Sequence, residues 1–275
     1  MNMKIHQHLQ TKKILQSFVG AVYVIGFVWW LYLHFTHAVD TPINYWFNVP
    51  MALSPAVIGA ILIYQSIFLY WHTRPTQQYV LYFGLYLFLW GIGTFSALVY
   101  NIILRVEIPY PSFFGDFVYF LSQLSVLTAV FLFVSKIQQW KDVKNIIEKI
   151  LFFATAPILQ LGLYWCVMNV LDKNPFPGID VEYVYGVMVL IVNIATFVLL
   201  YIFVYVLLFK SVHKDLRMLS WLLVLGVTMQ YITDYYFVRL LHVDKFFVGS
   251  FVDFLYLTTY AFMSMVGTLM YKKLK

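Results

Sequence analysis

The sequence predicts an all-α membrane protein with eight transmembrane helices, and three observations point to it. Of 275 residues, 62% are hydrophobic and 11% charged, with a mean hydropathy of +0.79; soluble domains are nearer half apolar and a quarter charged. The apolar residues fall in eight long blocks, each with the ~20 residues needed to cross ~30 Å of hydrocarbon. Lys and Arg alternate between sparse and dense loops, as cytoplasmic loops require.

The blocks are Ile14–Thr36, Val49–Trp71, Tyr79–Leu104, Phe113–Val134, Ile150–Val170, Val184–Phe209, Met218–Leu240 and Phe247–Met270. Backbone polar groups cannot stay unpaired in lipid, so each is expected to be helical. No ten-residue alternation of a membrane β-barrel is present. The first block follows Lys12-Lys13, exceeds a signal-peptide core and lacks a small-residue cleavage site after it, so it reads as a retained span. Arg105, Lys173, Arg239 and Lys245 fall on one side, and the other fourteen Lys and Arg fall with the termini. Both termini are therefore expected in the cytoplasm and the chain in the cell membrane.

Between spans four and five, Trp140, Val143, Ile147 and Ile150 recur at helical spacing, with Lys141, Lys144 and Lys149 off that stripe. This pattern fits an amphipathic helix on the lipid surface, or else a cytoplasmic extension of span five. The expected organisation is a tail (1–13), a first four-helix repeat (14–135), the linker (136–149), a second four-helix repeat (150–271) and a tail (272–275). The repeat rests on Asp116-Phe117-Val118-Tyr119 and Asp253-Phe254-Leu255-Tyr256, 137 residues apart, each opening an even-numbered span after an outside loop. Four helices per half preserve the direction of insertion, which makes the repeats parallel.

The net charge of +6 is spread over short loops, so it argues for membrane topology and against nucleic acid. The single cysteine, Cys166, excludes an internal disulfide and a thiolate metal cluster. His34 and His37 stand at i, i+3 spacing, but no other span offers an inward histidine, so no metal ligands are assigned. Nucleophile elbows, phosphate-binding loops, zincin helices and paired protease aspartates are missing; no catalytic residue or cofactor is assigned. Gly91-Ile92-Gly93 reads as a small-residue packing site on span three. Pro55 and Pro157 are expected to kink their spans.

Three of the twelve acids, Asp116, Asp234 and Asp253, lie inside spans at similar shallow depth on the outer side. Tyr100, Asn101, Tyr119, Gln230, Tyr231, Tyr235 and Tyr256 share that layer. For Asp116 and Asp253 a helix-start role competes with a functional one. Ser112 can cap the first helix, and Ser250 with Asp253 has capping-box spacing, where a carboxylate meets the positive end of the helix dipole. Asp234 lies near a helix C-terminus, where the dipole disfavours an anion. It needs a proton, water or a partner such as Arg105 or Arg239, and is otherwise a functional group.

The run Pro109-x-Pro111-Ser112-x-x-x-Asp116-x-x-Tyr119 resembles the signature of multi-span sensory regions that precede bacterial diguanylate cyclases and some histidine kinases. Asp234 and Gly249-Ser250-x-x-Asp253 are similar to the second half of that signature. The resemblance implies an eight-helix input module of undefined ligand. Here the sequence stops at Tyr271-Lys272-Lys273-Leu274-Lys275 with no output domain, so a signal is expected to pass to a cytoplasmic or membrane partner. A sensor holding a small cation or amine between carboxylates and aromatic faces is the leading expectation. A small-molecule or proton-coupled transporter and a non-catalytic scaffold are the alternatives.

Overall fold

The computed structural model describes residues 2–36, 41–70, 78–105, 113–137, 214–242 and 246–272. Expected spans five and six, the amphipathic linker and Cys166 lie outside the described residues. Among those described, the chain is all-helical without strands. The helices are α1 (Asn2–Thr36), α2 (Pro42–Tyr45), α3 (Asn48–Tyr64), α4 (Gln78–Val99), α5 (Phe113–Ile137), α6 (Lys214–His242) and α7 (Phe251–Lys272). Four helical stretches are long and apolar enough to cross a membrane: Gln10–Thr36, Pro42–Ile67, Gln78–Leu104 and Phe251–Tyr271. A shorter apolar stretch, Phe117–Phe133, lies within α5.

The helices differ from the expected blocks in three places. The loop after span one carries α2, which Pro42 opens because its fixed φ suits a first turn. Spans two and three each finish in a π-helical segment, Gln65–Tyr70 and Tyr100–Leu104. Span eight starts at Phe251 rather than Phe247, since 247–250 is spent on a turn in which the Ser250 N–H donates to the Phe247 carbonyl (3.1 Å).

The chain divides into two compact units, one of residues 1–129 with 245–275 and the other of 130–244. In the first, α3 and α4 pack most extensively, and α7 lies against α3 and α1. Small residues set the α3–α4 approach. A Cβ on Gly59 would fall 2.7 Å from the Gly84 carbonyl oxygen, and one on Gly91 would fall 2.7 Å from Ala56 Cβ. In lipid, association of helices depends on such close packing. Gly91 thus packs as expected, and Gly93 of the same motif faces the Tyr119 ring instead. Leu15, Val19 and Val22 form the buried stripe of α1, while Val24, Ile25, Val28 and Tyr32 stay exposed on its other side.

The second unit contains α6. Its long apolar run is interrupted by Asp234 and Arg239 and preceded by Lys214, Asp215 and Arg217.

Candidate functional site

The expected site residues belong to two different units of the chain. Asp234, on α6 of the second unit, is half-buried and already takes part in an interaction. Asp253 belongs to the first unit. The side chains of Asp116, Tyr235 and Arg239 lie outside the described residues. Arg105 is exposed and closes the π-helical end of α4 in a left-handed conformation (φ 53°). Tyr119 and Tyr256, both half-buried, do meet a common neighbour, Trp90.

Asp253 is 4% exposed and holds the backbone ahead of α7. Its Oδ2 accepts the Gly249 N–H at 2.6 Å, not the Ser250 N–H of the expected capping box. The reason is local: the Ser250 N–H is already committed to Phe247, so the carboxylate takes the next donor upstream. Gly249 has φ 91°, a left-handed conformation that glycine adopts without strain. Its flanking carbonyl, Val248 O, accepts Asn44 Nδ2 at 2.8 Å, and Asn44 Oδ1 accepts Thr41 Oγ1 at 2.5 Å. Trp30 Nε1 donates to the Ser250 carbonyl at 3.2 Å and its ring stacks on Phe254. Together these bonds clasp α2, α1 and the start of α7.

Removing the acceptor would strand the buried Gly249 N–H, which costs about 1–3 kcal/mol. Asp253→Ala is therefore expected to lose about that much stability, and Asp253→Asn, which keeps an acceptor oxygen, much less. Denaturant titration of both variants checks it; equal losses would refute the clasp.

A different cluster has the features of a binding site. Trp90, Thr94 and Asn101 recur at spacings of four and seven along α4 and its π-helical end, which puts them on one face. Thr94 Oγ1 donates to the Trp90 carbonyl (3.1 Å) and lies 3.3 Å from the Tyr119 hydroxyl. Its single proton is spent, so Tyr119 is the donor in that pair. Trp90 stacks on Tyr260 of α7 (interplanar angle 19°) and meets Tyr119 and Tyr256 at ring-centroid distances of 6.3 and 6.0 Å. Tyr86 extends the cluster through Tyr260 at 6.1 Å.

Asn101 stands apart from these satisfied groups. It is 6% exposed, yet neither Nδ2 nor Oδ1 has a hydrogen-bond partner. Each buried polar atom left empty costs about 1–3 kcal/mol, so native proteins rarely keep one without water, an ion or a role. Asn101 sits in the π-helical segment, which packs against α2; π-turns inside helices are frequent at functional sites. The group can both donate to and accept from a guest, next to hydroxyls and aromatic faces.

Among the described residues, no group of three or more His, Cys, Asp or Glu is placed to hold a metal ion. No family model, curated protein or solved structure matches this chain. The site is therefore defined by its own chemistry.

Proposed function

We propose that this chain is a polytopic protein of the cell membrane that binds a small ligand from the outer side and signals through a partner protein. In this reading eight spans form two parallel four-helix repeats with both termini cytoplasmic. The α2 end of the first unit then faces outward, and the lipid bilayer covers the exposed apolar side of α1. The observation that carries the proposal is Asn101, buried with an empty donor and an empty acceptor. Trp90, Tyr119 and Tyr256 add aromatic faces suited to an amine, whose attraction to such rings is about 0.5–2 kcal/mol.

The test begins with access. In a Cys166→Ser background, Asn101→Cys is expected to react with a membrane-impermeant thiol reagent added outside, and Leu98→Cys is not. Choline, as a probe amine, is expected to slow that reaction. An inert cysteine at 101, or labelling from the cytoplasmic side alone, refutes an outward site.

A second expectation concerns stability. Replacing a buried, unsatisfied amide with an apolar group of similar volume is neutral or stabilising. Asn101→Leu should melt at or above the wild-type temperature while losing any choline-dependent shift, the usual trade of stability against function. A destabilised Asn101→Leu would mean that the amide has a structural partner.

A further inference from the structure

We infer that α2 is a hinged cover over Asn101, latched to the start of α7 by Asn44. The inference rests on the reading of Asn101 as an outward site and adds what controls entry to it.

Asn101 is 6% exposed, so nothing arriving from solution reaches its amide until a neighbour moves. The π-helical segment that carries Asn101 packs against α2. Apart from α4, which that segment continues, α2 is the described helix most closely packed on it.

The way α2 is held makes it the element to move. Asn44 is the one buried residue of Pro42–Tyr45, while Ile43 and Trp46 are 39% and 47% exposed. Burial of apolar area is the main force that fixes a helix in place, and α3 has it in Met51, Ala52, Ile58 and Leu62. An element with few buried apolar contacts opens locally at low free energy.

The hold on α2 is polar instead. Asn44 Oδ1 accepts the Thr41 hydroxyl and the Thr41 N–H (3.3 Å). With its oxygen taken on that side, the amide presents Nδ2 to the other, where it donates to the Val248 carbonyl at 2.8 Å. Glycine next door permits this approach, since a Cβ on Gly249 would sit 3.3 Å from Asn44 Nδ2. Phe47 follows α2 directly, is fully buried, and donates its N–H to the Asn44 carbonyl (2.9 Å). It is the fixed pivot. Breaking the Asn44–Val248 bond lets α2 swing about Phe47 without unpacking α3.

The experiment uses the full chain in nanodiscs with Cys166→Ser and Asn101→Cys, labelled from outside by a membrane-impermeant thiol reagent. Where labelling follows local opening, its rate tracks the open population. Adding Asn44→Ala is expected to speed labelling about 3–10-fold, the effect of one lost hydrogen bond. A cysteine at Leu98 should stay unlabelled in the same background. An unchanged rate at position 101 overturns the latch and leaves the Asn101 site standing; an inert cysteine at 101 in both backgrounds overturns both. Should Asn44→Ala loosen the whole unit, seen as labelling at position 98, hydrogen exchange of the unmodified protein decides. The amides of Asn44 and Trp46, bonded to Thr41 and Pro42, should exchange at least tenfold faster than those of mid-α3. Equal protection of the two regions refutes the cover.

Discussion

Gly59→Leu is expected to abolish the native α3–α4 pair. A Cβ at this position would collide with the Phe88 backbone nitrogen and lie 2.7 Å from the Gly84 carbonyl oxygen. Both obstacles are backbone, so no side chain can rotate away, and only separation of the helices relieves the clash. Overpacking costs about 1–3 kcal/mol where side chains can shift; against backbone the cost belongs at or above that range. Even Gly59→Ala should destabilise, although alanine gains about 1 kcal/mol in helix propensity over glycine. The control is Gly20→Ala, where a Cβ meets nothing within 4 Å and the propensity gain should appear undiminished. Size-exclusion profiles and thermal melts of the three variants test this. A folded Gly59→Leu with wild-type melting would refute the backbone contact.

Trp90→Ala is expected to cost about 3–5 kcal/mol, the usual range for emptying a large aromatic site. Trp90 is 5% exposed and joins three helices through Tyr119 on α5 and Tyr256 and Tyr260 on α7. Its loss removes dispersion contacts and the aromatic-pair terms of about 0.5–1.5 kcal/mol each. Trp90→Phe keeps a ring and should lose less than half as much. Reversible unfolding of both variants in mixed micelles measures the difference. A loss under about 1 kcal/mol for Trp90→Ala would show that the rings do not act as one packed unit.

The aromatic cluster was only half visible in the amino-acid order. Tyr119 and Tyr256 stood out because each follows an embedded aspartate by three residues. Trp90 did not, since one tryptophan among many aromatic residues carries no mark of its position. The four-residue step from Trp90 to Thr94 and the seven to Asn101 could have drawn attention to one face of α4. Nothing in the sequence marks the π-helical turns at Gln65 and Tyr100, because a π-turn arises from packing rather than from residue type. Asp253 was legible as a helix-start residue, but not the donor it takes. That choice depended on whether the Ser250 N–H remained free, which the turn at 247–250 decided.

Composition and apolar block length were sufficient by themselves to give the helical class and, within the eight blocks expected, the four membrane-length helices found among the described residues. These follow from local chemistry, since an apolar run of that length has only its own backbone for hydrogen bonding in lipid. Which polar groups find partners was decided by tertiary structure alone. Asp253 is satisfied by a glycine N–H, while Asn101, Gln65 Oε1 and Ser66 Oγ are buried and left empty. The physical reason is that a hydrogen bond needs its partner within about 3.5 Å and properly aimed, a condition set by helices distant in sequence.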